Sequence, residues 1–317
     1  MIKEITIQFT EECNVSCPYC FAPYKRNIIL SPESFIEFLN FCKKDKPDVI
    51  HITGGEPTIH SRFQEYISQL SEISSLVIYS NFVTKNIIKN IKAPEPNEVV
   101  FLVNITSYCF LSDEEKIVVR DNIMEALDAK FRVAFSFTYH ESIESVEDYI
   151  NAIIEYMKKY KIRNLRLSQA LSSKEIISTN KIEKIQLLYN YVANNIDKWT
   201  SMGLRVYFDC PVPPCFINAK DFKKLREARA VSLHCIPKAF IMCDLTVSQC
   251  YFTMNMNNNK KLSHFSSIEE IKEYSKTMIE SMAARSDRTG CVHCFYYHEG
   301  ELCGCPSYDV VSEEKRE

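Results

Sequence analysis

Along the first two-thirds of the chain, short runs of alternating apolar residues are separated by stretches in which apolar residues recur every three to four positions. This pattern predicts strands at 5–9, 49–53, 76–80, 99–105, 131–138 and 165–168, and helices at 32–42, 62–70, 85–91, 113–127 and 146–160. Ser31-Pro32-Glu33 suits a helix start, with Ser31 as the cap and Pro32 in the first turn. Strands separated by single helices imply parallel pairing with right-handed crossovers. Six such units predict an α/β fold of the partial (β/α)6 TIM-like barrel type, with an open doubly wound sheet as the alternative.

After Ser168 the pattern changes. A polar helix at 182–196 leads into Asp209-Cys210-Pro-Val-Pro-Pro-Cys215, segments 239–243 and 247–252 read as a hairpin, and a helix is expected at 268–284. The expected division is a barrel over 1–205 and a small cysteine-rich extension over 206–317, with a frayed charged tail at 312–317.

Composition adds mainly exclusions. The chain has 317 residues, 46% hydrophobic and 25% charged, with a net charge of −3, so electrostatics gives no reason to expect nucleic acid as a partner. No run reaches the ~20 apolar residues of a membrane span, and the N-terminus alternates like a strand and lacks the apolar core of a signal peptide. The expected location is the cytoplasm. There, 14 cysteines are not a disulfide framework but a sign of metal. Three lie at 13–20, Cys42 and Cys109 stand alone as small buried hydrophobes, and nine fall between 210 and 305.

Cys13-Asn-Val-Ser-Cys17-Pro-Tyr-Cys20 follows the first predicted strand. Three thiolates on one loop can grip three irons of a [4Fe–4S] cube and leave the fourth iron open for chemistry. A zinc site is the competing reading, although structural zinc usually takes four protein ligands. Thr53-Gly54-Gly55-Glu56-Pro57 follows the second strand in a chain with only six glycines. Adjacent glycines let backbone come close to a ligand, and a carboxylate beside them can hold an ammonium group.

Together the two motifs resemble those of the radical S-adenosylmethionine (SAM) superfamily. The resemblance implies that SAM chelates the open iron of a [4Fe–4S] cluster held by Cys13, Cys17 and Cys20, with Gly54, Gly55, Glu56 and Pro57 on its amine side. It also implies Tyr19 near the adenine and Ser80-Asn81 close to the ribose, with Phe82 standing where relatives commonly have glycine. A reduced cluster would cleave SAM to a 5′-deoxyadenosyl radical that abstracts hydrogen from substrate, the cofactor carrying the difficult chemistry. Asn104, Ser136, Arg166 and Ser168, at the ends of later strands, are further candidates for holding the SAM carboxylate or the substrate, or are ordinary barrel residues.

The C-terminal cysteines resemble the SPASM and twitch extensions of some radical SAM enzymes, in which a cysteine-flanked hairpin and a later C-x-x-C group bind auxiliary [4Fe–4S] clusters. The resemblance implies one or two such clusters, with ligands drawn from Cys215, Cys235, Cys250, Cys291, Cys294, Cys303 and Cys305. Leu245 stands where the hairpin turn usually has glycine. Two clusters would also call on Cys210 or Cys215, Cys243 is assigned to packing, and a zinc ribbon using His293 or His298 is the alternative.

The implied activity is that of a radical SAM oxidoreductase acting on a ribosomal peptide or protein, forming crosslinks or oxidised residues. The alternatives are a small-molecule dehydrogenase, for example of a sugar, with one twitch-type cluster, and a non-catalytic iron–sulfur or zinc regulator. With twelve residues before Cys13, a leading winged-helix domain is expected to be absent, so a peptide would arrive on a separate leader-binding protein or be held by the barrel rim. An electron donor such as flavodoxin or ferredoxin is implied, and no membrane.

Overall fold

A computed structural model of the chain describes residues 2–20, 28–140, 143–170, 179–211, 213–250, 260–285, 291 and 304–306. In chain order the elements are β1 (Glu4–Gln8), α1 (Pro32–Lys44), β2 (Val49–Thr53), α2 (Phe63–Ser71), β3 (Ser75–Ser80), β4 (Val99–Asn104), α3 (Asp113–Asp128) and β5 (Arg132–Tyr139). There follow α4 (Val146–Tyr160), β6 (Asn164–Gln169), α5 (Thr179–Ser201), β7 (Arg205–Phe208), α6 (Ala219–Glu227), β8 (Ala239–Ile241), β9 (Val247–Ser248) and α7 (Ile268–Arg285). The alternation of strands and helices is that of a partial (β/α)6 barrel, as the periodicity predicts.

The chain divides into two compact units, Met1–Phe135 with Pro237–Met278, and Ser136–Ile236 with Ile279–Glu317. In the first unit the strands run β4-β3-β2-β1-β8-β9, parallel throughout except for β9. Ile5, Ile7 and Phe9, in or just after β1, are fully buried, as are Ile50 and Ile52 of β2 and Leu76 and Ile78 of β3. Buried residues alternate with partly exposed ones along these strands, so one face of the sheet is packed into the core. Helix α1 starts as its sequence implies: Pro32 opens it and Ser31 Oγ accepts the Ser34 N–H at 3.1 Å. Its buried face is Phe35, Phe38, Leu39 and Cys42, and burial pushes the Cys42 thiol pKa upward, which is the behaviour of a packing residue. Phe35 stacks on Tyr66 of α2 at 3.6 Å, and Phe9 meets the same ring edge-on at 5.8 Å.

In the second unit β6 pairs parallel with β7, and the hydroxyls of Thr138 and Ser168 lie 2.9 Å apart. Arg166 of β6 forms a half-buried ion pair with Asp209, just after β7. Tyr189 of α5 stacks on Phe208 at 4.0 Å.

Three differences from the sequence expectation have physical causes. The stretch 85–91 is a series of turns rather than a helix. Asn86 sits at φ 58°, outside helical space, and Gln64 Nε2 donates to the Asn86 carbonyl at 3.0 Å. Ile87 and Ile88 are nevertheless buried, so the apolar spacing is real but serves a loop that covers the core. Strand β7 and helix α6 were not expected, being only 4 and 9 residues long on either side of the proline-rich segment 210–215. The hairpin has shorter arms than predicted, with Phe240 opposite Ser248 and Ile241 opposite Val247, and β8 also extends the parallel sheet beside β1.

Both positions where the resemblance leads one to expect glycine adopt the left-handed backbone that favours it: Phe82 at φ 62° and Leu245 at φ 63°. Phe82 is fully buried, its ring 5.1 Å from Phe101, and Asn122 Nδ2 donates to the carbonyls of Phe82 and Thr84, both at 2.8 Å. Replacing Phe82 with glycine relieves about 1 kcal/mol of backbone strain but removes a core ring, at about 3–5 kcal/mol. Phe82→Gly is therefore expected to lower stability by about 2–4 kcal/mol, read as a lower urea midpoint; a raised midpoint would show that strain dominates.

Candidate functional site

The chemistry-bearing residues of the first unit lie just past the carboxyl ends of β1 to β4, where a parallel sheet places loops that its strands hold rigidly. The cysteine loop leaves β1 through a stem formed by Phe9 to Glu12. Phe9 N–H donates to the Thr53 carbonyl at 2.8 Å, Gly55 N–H to Thr10 O at 2.7 Å, and Glu56 N–H to Glu12 O at 2.8 Å. The glycine segment therefore continues the pairing of β1 and β2 beyond the strands themselves.

This contact explains the two glycines. A Cβ on Gly54 would lie 2.7 Å from Thr10 O, and one on Gly55 would lie 2.1 Å from Glu12 O. Both obstacles are backbone atoms, which cannot swing aside. The sequence reading gave the glycines the task of letting backbone approach a ligand. In the structure they let two loops approach each other, and so position the cysteines.

Glu56 is 1% exposed. Its Oε1 accepts the Thr58 N–H at 3.1 Å, the Thr58 hydroxyl at 2.6 Å and the Ser80 hydroxyl at 2.8 Å, while Oε2 accepts the Asn81 N–H at 2.7 Å. Burial raises the Glu56 pKa above the ordinary carboxylate value, and these four donors oppose the rise. The carboxylate thus ties the end of β2 to the end of β3, and its N-terminal capping of the 3-10 turn Pro57–Ile59 fixes the backbone direction after the glycines.

From this hub polar contacts continue to the cysteines. The hydroxyls of Thr58 and Thr84 lie 2.8 Å apart, and Asn14 Nδ2 donates to Thr84 Oγ1 at 3.4 Å. Asn81 Nδ2 donates to Asn14 Oδ1 at 2.8 Å and to Cys13 Sγ at 3.9 Å. Ser80 and Asn81, expected beside a ribose, are buried and engaged in these internal bonds. Tyr19 bridges the loop to β4: its hydroxyl donates to Asn104 Oδ1 at 3.4 Å and its ring lies 6.1 Å from Phe110. Burial, reinforced by Cys17 nearby, raises the Tyr19 phenol pKa well above its usual value, so it stays protonated.

Cys13 and Cys17 are partly exposed and Cys20 is exposed. Cys20 N–H donates to the Cys17 carbonyl at 3.1 Å, which closes the end of the loop into a turn. Among the described residues no three His, Cys, Asp or Glu side chains are drawn into a group able to hold a metal ion. The donor set itself, three thiols on one loop, suits a cluster with one open iron.

Sequence reasoning missed Thr10, Asn14, Thr58 and Thr84. Each lies a few residues from a motif already singled out, but nothing in its type marks it. In the same unit Cys243 is buried, its thiol pKa is raised by burial, and it donates from both N and Sγ to Gln8 Oε1 at 3.4 Å, in keeping with a packing role. Cys250 is partly exposed, and its carbonyl accepts the Ser248 hydroxyl at 3.0 Å.

In the second unit, the short segment 304–306 lies against the proline-rich stretch. Cys305 N–H donates to Pro211 O at 3.0 Å, Gly304 N–H to Leu233 O at 2.8 Å, and Gly304 bridges His234. Gly304 is at φ 78°, and a Cβ there would meet Pro213 N at 2.7 Å. This brings the backbone of Cys305 next to the neighbours of Cys210 and Cys235. Cys210 and Cys215 are exposed, Cys235 and Cys291 partly exposed, and Cys305 buried. Cys294, Cys303, His293 and His298 lie outside the described residues.

Residues 7–95, which contain both motifs and the polar network joining them, match the Radical SAM superfamily. The chain carries a radical SAM domain. That domain implies a [4Fe–4S] cluster and SAM as cofactors, and marks the chain as an iron–sulfur enzyme. Among curated proteins it is similar to the GTP 3′,8-cyclase of Helicobacter pylori strain HPAG1, 25% identical over 199 residues, covering 58% of this chain and 62% of that protein. It is also similar to an S-adenosylmethionine-dependent nucleotide dehydratase of Oncorhynchus mykiss, 26% identical over 149 residues, 42% of each chain. The chain thus matches 62% of the length of the cyclase. Among solved structures, native anSMEcpe with bound AdoMet aligns over 98% of this chain and 92% of its own, with a TM-score of 0.66 and 15% identity. Streptococcus suis SuiB bound to the precursor peptide SuiA aligns over 98% and 75%, with a TM-score of 0.64 and 15% identity. These likenesses place the radical SAM domain within the partial-barrel fold. Among the described residues no helix is long and apolar enough to cross a membrane.

Gly55→Ala forces the backbone at Glu12 to move, so it is expected to cost about 3 kcal/mol or more and to lower iron per chain after anaerobic reconstitution. Gly203→Ala, at φ 75° with nothing within 4 Å of its Cβ, serves as the control, with about 1 kcal/mol of strain and no loss of iron. Equal iron content in the two variants would remove the glycines from the positioning of the cysteines.

Proposed function

We propose that this chain is a radical SAM oxidoreductase that reductively cleaves SAM and abstracts hydrogen from a ribosomal peptide or protein. The observation that carries the chemistry is the fastening of the three-cysteine loop onto the glycine–carboxylate segment at the carboxyl ends of β1 and β2. Cys13, Cys17 and Cys20 would hold the cluster, Gly54, Gly55, Glu56 and Pro57 would flank the SAM amine, and Tyr19 would lie near the adenine. When bound, the cluster supplies the electron that cleaves SAM. The protein's own part is to fix the three sulfurs, to keep Tyr19 neutral and tied to β4, and to shelter the site from water.

The peptide reading is supported by the fold likeness to SuiB, solved with its precursor peptide, and to anSMEcpe, also solved with a peptide bound. Both likenesses extend over 98% of the chain. The cysteines within 206–317 support one or two auxiliary clusters, with ligands drawn from Cys215, Cys235, Cys250, Cys291, Cys294, Cys303 and Cys305. A second reading, a nucleotide substrate, is favoured by the names of the curated relatives, a GTP cyclase and a nucleotide dehydratase.

Anaerobically reconstituted protein with dithionite and SAM is expected to release 5′-deoxyadenosine, and Cys17→Ala to abolish it. No release from wild type, or equal release from Cys17→Ala, would sink the enzyme reading. Iron content near twelve per chain corresponds to two auxiliary clusters, and near eight to one. A short peptide encoded beside the gene is expected to lose two hydrogens by mass. Turnover of GTP with no change in any such peptide would instead establish the nucleotide reading.

A further inference from the structure

We infer that Asn81 is a positioning residue for the cluster-binding loop, holding Cys13 Sγ by an N–H···S hydrogen bond and thereby setting the reduction potential of the cluster on that loop. The inference rests on the proposed function, in that Cys13 must be a cluster ligand.

The amide of Asn81 cannot be turned the other way. Its Oδ1 accepts the Val83 N–H at 3.0 Å, which fixes the oxygen on that side. Its Nδ2 therefore faces the cysteine loop, with one hydrogen for Asn14 Oδ1 at 2.8 Å and the other for Cys13 Sγ at 3.9 Å. The backbone of the same residue is anchored at 2.7 Å on the buried Glu56 carboxylate, and the residue is 7% exposed. Such an amide has little freedom, so the hydrogen bond to sulfur is held in place before any cluster binds.

The direction of the effect follows from charge. Reduction adds an electron whose density is shared with the ligand sulfurs, and a fixed N–H dipole aimed at one of them stabilises the reduced state more than the oxidised state. Such a donor raises the potential and makes the cluster easier to reduce. Because Asn81 lies directly past β3 while Cys13 follows β1, it also links the potential to the rigidity of the strands.

The test is a potentiometric titration of reconstituted holoenzyme, followed by electron paramagnetic resonance in the absence of substrate. Asn81→Ala is expected to titrate at a more negative potential than wild type. Asn14→Ala removes the neighbouring acceptor but leaves the N–H···S bond, and is expected to keep the wild-type potential even if it loosens the loop. Equal potentials in wild type and Asn81→Ala would overturn the inference, as would an equal shift in Asn14→Ala. Should Asn81→Ala hold no iron, Asn81→Ser carries the titration, because its hydroxyl is one bond shorter than the amide and falls short of Sγ while keeping a polar group at the site. A more negative potential than wild type in the serine variant supports the inference, and the wild-type potential overturns it. A wild-type protein that takes up no cluster at all overturns the proposed function, and this inference with it.

Discussion

The candidate site depends on how closely two segments of backbone approach each other. Thr10 to Glu12 and Gly54 to Glu56 lie so near that a methyl group on Gly55 would overlap the Glu12 carbonyl. Two backbone hydrogen bonds, Gly55 to Thr10 and Glu56 to Glu12, cross the gap. Because these groups continue the pairing of β1 with β2, the position of the cysteine loop is inherited from the sheet. A loop of three cysteines would otherwise be free to sample many arrangements, and ordering it would fall entirely on the metal.

The buried carboxylate of Glu56 extends this constraint to β3. An unpaired buried charge would be unfavourable by several kcal/mol, and the four donors around Glu56 are the condition under which it can remain buried. The requirement is mutual. Ser80, Asn81 and Thr58 are directed inward by the carboxylate, and the side-chain amide of Asn81 is left facing Cys13. Two strand ends and a turn are thus locked by one acidic group, with the cysteine loop at the edge of the locked region.

The alternation of strands and helices and both metal-related motifs were legible in the sequence, because periodicity and cysteine spacing are local signals. What the motifs do to each other was not. Gly54-Gly55 next to Glu56 reads as a ligand cradle when seen alone, and its contact with Thr10 and Glu12 appears only once β1 and β2 are paired. The turns at 85–91 were misread as a helix because Ile87, Ile88 and Ile91 have helical spacing, and left-handed Asn86 cannot be inferred from its neighbours. Strand β7 escaped because four residues are too few for a period to show.

The same comparison explains why so glycine-poor a chain keeps adjacent glycines at 54 and 55 and not at 82 or 245. At Phe82 and Leu245 the backbone is left-handed, which costs an L-residue about 1–2 kcal/mol. Both side chains are buried, Phe82 fully and Leu245 to 5% exposure, and a buried large apolar side chain contributes about 1.5–3 kcal/mol, enough to offset the strain. At Gly54 and Gly55 the obstacle is not torsional. A Cβ would occupy the space of a carbonyl oxygen at 2.7 and 2.1 Å, and no side-chain burial compensates for overlap with backbone that also anchors the cysteines. Strain of a kcal/mol or two can be exchanged for packing, whereas exclusion by fixed backbone cannot, so glycine is retained where the cysteine loop is fastened to the sheet.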